Sequence, residues 1–214
     1  MTTSRVAGVL GILGVVLVFA GNALTSLPDA PDVGAPAAEY TRWLTEHPPG
    51  NAFWTGAYVE VLGFVAFLFF FPALWGVLRR AQGEWDWLAV AALGIGMVAT
   101  AVKLASGPIA VVVYDRAPAN LSADTQAALL ESNGWSFVLT FALDGAFLLA
   151  AGSLILATRV LPRWLGWTAL PFGVVGLLSV LGGLDGPPAI LLYFLWVVLV
   201  SVVLILPERR RAAA

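Results

Sequence analysis

The chain has 214 residues, of which 60% are hydrophobic and 11% charged, with a mean hydropathy of +0.89. That balance excludes a water-soluble domain, and a net charge of −2 offers nucleic acid no basic footprint. There is no cysteine and a single histidine, His47, so disulfides, thiol catalysis and Cys/His metal centres are excluded, and no cofactor is expected.

Apolar runs long enough to cross a hydrocarbon core of roughly 30 Å recur along the sequence. They predict six membrane helices at 6–26, 52–78, 87–113, 135–158, 164–183 and 187–206. The expected fold is all-α: a polytopic helical bundle forming one transmembrane domain over residues 1–214, in contact with lipid along its length. Eight of the eleven basic residues (Arg5, Arg79, Arg80, Arg159, Arg163 and Arg209 to Arg211) flank the spans on one side, against Arg42 and Arg116 on the other. By the positive-inside rule both termini are cytoplasmic, in the cell's inner (plasma) membrane. The opposite loops carry acids, among them Asp29, Asp32, Glu39 and Asp185.

The first run, "MTTSRVAGVLGILGVVLVFAGNA", also has the outline of a signal peptide. Its length, and Gly8, Gly11 and Gly14 along it, favour a retained, packed helix. After it, "PAAEYTRWLTEHPPG" places Tyr40, Trp43, Leu44 and His47 at helical spacing before Pro48 and Pro49. This predicts a short amphipathic helix lying at the membrane surface, with His47 at the interface rather than acting as a base or ligand.

The second run contains one charge, Glu60, in "GAYVEVLGFVAFLFFFPALW". The third contains Lys103 in "MVATAVKLASGPIA", and the fourth Asp144 in "FVLTFALDGAFLLA". Counted from the outer ends of their helices, all three lie roughly 12–15 Å deep, at one level. Gly56 and Gly63 share a stripe with Glu60; Gly96, Thr100 and Gly107 share one with Lys103; Thr140 and Ala151 share one with Asp144. Such stripes should turn inward. An isolated mid-membrane charge costs about 2.5–3.5 kcal/mol, so the three are expected to converge, Lys103 bridging the two acids. Pro108 is expected to break the third span beside Lys103 and enlarge the polar site. Asn22, Ser179 and Tyr193 fall in the outer halves of their spans and can line the same chamber.

A second surface helix is predicted from Ser122, as N-cap, to Gly134. Either this segment or 36–47 can lid an outward cavity, or simply connect spans. Glu60 precedes Arg79 by nineteen residues, as Asp144 precedes Arg163, and tryptophan-rich stretches follow both arginines. This suggests a parallel repeat of two spans.

The stretch "LPRWLGWTALPFGVVGLL" at 161–178 resembles the junction of the fourth and fifth helices in several families of six-helix bacterial membrane proteins of unknown activity. The span count and the acid in the second helix are similar as well. The resemblance implies architecture and carries no catalytic residues.

Two readings of the charged trio remain open: an outward-facing site that binds or transports a small molecule, ion or proton, and a closed ion-pair knot fixing helix register. The first assigns Glu60, Lys103, Asp144, Thr100, Thr140, Asn22 and Tyr193 to the ligand. The second makes the chain an accessory or scaffold subunit for a membrane-protein partner. A membrane enzyme would use one acid as proton donor and the other as base. No phosphate-binding glycine loop, metal cluster or Ser/His/Asp set accompanies them, so the reading leans away from catalysis.

Overall fold

The computed structural model describes residues 2–32, 34–80, 83–116, 121–181 and 187–206, and every regular element among them is helical. Helix α1 is Thr3–Thr25, α2 Ala37–Glu46, α3 Asn51–Leu78, α4 Asp86–Arg116, α5 Ala123–Thr158, α6 Arg163–Leu178, with a 3₁₀ turn Ser179–Leu181, and α7 Pro187–Ile205. Six of the described helices, all but α2, are long and apolar enough to cross a membrane, so this is a multi-pass membrane protein. Arg209 to Arg211 and Asp185, which enter the charge asymmetry, lie outside the described residues.

The six spans form a ring in chain order. Each packs on its neighbour in sequence (α1 on α3, α3 on α4, α4 on α5, α5 on α6, α6 on α7), and α7 returns to α1. Outward-facing Val16, Phe69, Val98, Leu139 and Leu191 are exposed and meet lipid. Two seams are so close that backbone touches backbone. A Cβ added to Gly21 of α1 would lie 2.6 Å from the Glu60 amide nitrogen and 2.7 Å from the Gly56 carbonyl of α3. One added to Gly145 of α5 would lie 2.6 Å from the Gly173 carbonyl of α6. Without a hydrophobic drive between helices in lipid, such small-residue seams supply the dispersion contacts that hold the ring.

At the end of the ring nearer the chain termini, the interior is filled. Phe70, Phe71, Leu74, Phe147, Leu154, Trp196 and Val200 are buried in one cluster. Phe147 meets Phe71 and Trp196 edge to face, with centroids 5.1 and 5.7 Å away. The indole of Trp196 donates to the Leu165 carbonyl at 2.9 Å, fastening α7 to α6.

The opposite end carries α2, as its periodicity predicts, ended by Pro48 and Pro49 after the His47 cap. Its apolar face does not lie on lipid. Tyr40, Trp43 and Leu44 are buried against the protein, Trp43 and Leu44 clustering with Val113, Tyr114, Leu129 and Leu130. The Trp43 indole donates to Pro28 O at 2.8 Å and the Tyr40 hydroxyl to Asp32 O at 2.7 Å. Satisfied polar tips let these amphipathic rings bury on protein instead of at the interface.

Two expected breaks are absent. Ser122 does cap a helix, its Oγ accepting from Thr125 N, but the helix runs through Gly134 to Thr158 as one element. A single interior glycine costs only about 1 kcal/mol, less than the burial of Gln126 and Ala127 against their surroundings restores. Likewise α4 is continuous through Pro108. The proline removes one hydrogen bond, to Leu104 O, from a 31-residue ladder, and the neighbouring helices hold the rest in place.

Candidate functional site

Above the aromatic floor the ring encloses a cavity of about 150 Å³. Five helices line it: α1 with Val18, Phe19 and Asn22; α3 with Glu60, Phe64 and Phe67; α4 with Ala99, Thr100 and Lys103. From α5 come Phe137, Thr140, Phe141 and Asp144, and from α7 Ile190, Tyr193 and Phe194. Glu60, Lys103, Asp144, Thr100, Thr140, Asn22 and Tyr193 therefore share one wall-to-wall space. Ser179 is buried in the 3₁₀ turn after α6, its hydroxyl donating to Gly176 O, and does not border the cavity.

Each polar group arrives for a local reason. Glu60 sits one turn from Gly56 and Gly63, whose missing side chains let α1 press against α3, so its carboxylate is carried past the seam into the ring. Thr100 and Thr140 bend their hydroxyl hydrogens back to their own helices, onto Gly96 O at 2.9 Å and Ser136 O at 2.6 Å. Their oxygens are left with acceptor lone pairs for the cavity. Asp144 lies beside Gly145, which packs against α6, and is itself on the cavity wall and only 5% exposed.

Lys103, 7% exposed, is within electrostatic reach of both carboxylates, but it does not bridge them. Its Nζ lies over the face of the Phe137 ring and has no hydrogen-bond partner among the described residues. The ring face takes the cation in place of a carboxylate oxygen. Both acids border the void, and neither is hydrogen-bonded among the described residues. The arrangement is thus asymmetric: acceptors face the empty space, and the ammonium nitrogen is shut away from it.

The glycine stripes do not line the cavity. Gly56 and Gly63 face Leu24 and Val18 of α1, and Gly96 faces the Phe71 ring. Close approach is what those glycines provide, and it leaves no room there. The walls are instead phenylalanines: Phe64, Phe67, Phe137 and Phe141, which would shut a knot, surround open space here together with Phe19 and Phe194. Phe64 lies four residues after Glu60 and Phe141 three before Asp144, a spacing that places each ring beside its acid and was legible in the sequence.

The two arginines that mark the nineteen-residue spacing sit at different places in their helices. Arg79 is the C-cap of α3, whereas Arg163 is the first residue of α6, with Arg159 as the C-cap of α5 in left-handed conformation at φ 56°. Equal spacing joins unequal positions.

Among the described residues no group of three or more His, Cys, Asp or Glu could hold a metal ion. A second hollow lies at the α2 end, between Leu44, Pro48, Pro49, Trp54, Tyr114 and Asp115. It contains none of the buried charges. No protein-family model, curated protein or solved structure matches the chain.

Proposed function

We propose that this protein is a plasma-membrane protein with both termini in the cytoplasm, its residues 1–214 forming one transmembrane domain. Its central cavity binds a small polar molecule or ion arriving from outside, as a receptor site or one step of transport. Glu60, Lys103 and Asp144 are its charged groups; Thr100, Thr140, Asn22 and Tyr193 complete the polar lining. The observation that carries the reading is an unfilled space, about 150 Å³, at the one place where three intramembrane ionisable side chains meet. Buried charges that serve only helix register are expected to be hydrogen-bonded to one another with no void between them. The aromatic floor favours access from the end opposite the termini, where the rim residue Asn22 is exposed.

The natural absence of cysteine makes the test clean. Single cysteines at Thr100 and Thr140 should react, in sealed right-side-out vesicles, with a small membrane-impermeant thiol reagent added outside. Failure of both to react, in protein that keeps its unfolding temperature, would leave the scaffold reading, in which the charged trio is purely structural.

A further inference from the structure

Resting on that reading, the geometry points to a ligand class: we infer that the cavity takes a compact organic monocation, a primary ammonium on a short or aromatic hydrocarbon body, held by Asp144 and Glu60.

Three independent observations lead there. The first is charge. Two carboxylates stand against one ammonium, so the ionised set carries one unit of negative charge that a single monovalent cation neutralises. The second is which atoms face the space. Asp144 is buried, makes no hydrogen bond among the described residues and lies on the cavity wall, as does the less buried Glu60. Thr100 and Thr140 add acceptor lone pairs. The charged donor of the set, Lys103 Nζ, is buried against the Phe137 ring, and the donors that remain on the wall, the Tyr193 hydroxyl and the Asn22 amide, carry no charge. A ligand here meets two charged acceptors and only neutral donors, a set that a primary ammonium with its three N–H groups and positive charge matches.

The third observation is the rest of the wall. Six phenylalanines and Tyr193 make up seven of the sixteen lining residues, and Val18, Ala99 and Ile190 are apolar as well. A bare alkali ion needs a shell of oxygens that such a wall does not provide, whereas an organic ammonium offers hydrocarbon to the rings and its charge to their faces. A dry cavity of similar size accepts benzene, which sets the ligand at roughly six to eight non-hydrogen atoms.

The experiment uses the purified full chain in nanodiscs, three probes of one shape (benzylammonium, benzyl alcohol and benzoate) and n-butylammonium as an aliphatic ammonium. Binding is read by titration calorimetry and by the shift in unfolding temperature. Benzylammonium or butylammonium should bind saturably, at least about ten-fold tighter than benzyl alcohol, with benzoate weaker still. Asp144→Asn and, separately, Glu60→Gln should each weaken ammonium binding by about ten-fold or more while leaving the alcohol unchanged. Equal binding of alcohol and ammonium would overturn the proposal, as would preference for benzoate or no ammonium binding up to about 10 mM. The first of these would indicate that a proton already neutralises the acids. Cysteine labelling at Thr140 separates the two failures: a labelled site that rejects ammonium ions refutes the ligand class alone, whereas an unlabelled one refutes the site. Because two acids are varied separately and the wild-type probe series stands without either, misfolding of one variant does not shelter the proposal.

Discussion

Replacing Lys103 by Met removes the one cation that, among the described residues, acts on the two cavity carboxylates. Breaking a buried charge set by deleting one partner costs about 3–5 kcal/mol, most of it from the charges left behind. Here the value should fall near the lower end, about 3 kcal/mol, because both acids border a void instead of packed hydrocarbon and Lys103 makes no hydrogen bond to either. For a chain of this size that corresponds to a fall of roughly 6–12 °C in unfolding temperature. Neutralising the whole set, as Glu60→Gln with Lys103→Met and Asp144→Asn, leaves no charge to compensate and should unfold within about 1 kcal/mol of the wild type. The assay is reversible unfolding in mixed micelles, with the variants combined as a thermodynamic cycle. A triple variant whose loss equals the sum of the three single losses would show that the groups do not interact, and the electrostatic account of the cavity would fail.

The α5–α6 seam should tolerate no side chain at Gly145: Gly145→Ala drives a Cβ to 2.6 Å from the Gly173 carbonyl and should cost about 2–3 kcal/mol in the same assay. Gly94→Ala, with nothing within 4 Å of the new Cβ, should instead be neutral or stabilising by up to about 1 kcal/mol. Gln126 is buried, accepts from the Thr41 hydroxyl at 3.0 Å and donates to Leu121 O at 2.9 Å, so Gln126→Leu should loosen α2. Amide exchange across 37–46 should rise several-fold while the spans keep their protection; unchanged exchange would mean that α2 is held by its aromatic face alone. For topology, cysteines at exposed Ala38 and Glu84 should differ in sealed cells, the first reacting with an impermeant reagent and the second not.

The spans were legible because hydropathy and length leave little freedom within a bilayer, and the described helices start and stop within a few residues of the apolar runs, apart from the longer α5. Depth counting put Glu60, Lys103 and Asp144 at one level, since a rise of about 1.5 Å per residue converts sequence position into height. Shared helix faces added Thr100 and Thr140, and of the three outer-half polar residues Asn22 and Tyr193 border the cavity while Ser179 does not. What sequence could not deliver was rotation between helices. Which of two small-residue faces becomes a seam and which a wall depends on the partner helix, so Gly56 and Gly63 went to packing while Phe64 and Phe67 enclosed the space. The same limit hid the placement of Lys103, because ring and ammonium meet only when α4 and α5 are docked. Pro108 and Gly134 mislead for another reason: local propensity penalties of a few kcal/mol are outweighed when the whole helix is held in place by its neighbours.

The account turns on whether the space between Asp144 and Glu60 is real and wet. An experimental map of the chain in lipid, sharp enough to resolve ordered water, measures this directly. The account predicts density for water or a small cation within hydrogen-bonding distance of both carboxylates, with Lys103 Nζ lying against Phe137. A dry, closed interior in which Lys103 donates to Glu60 and Asp144 at once would contradict it.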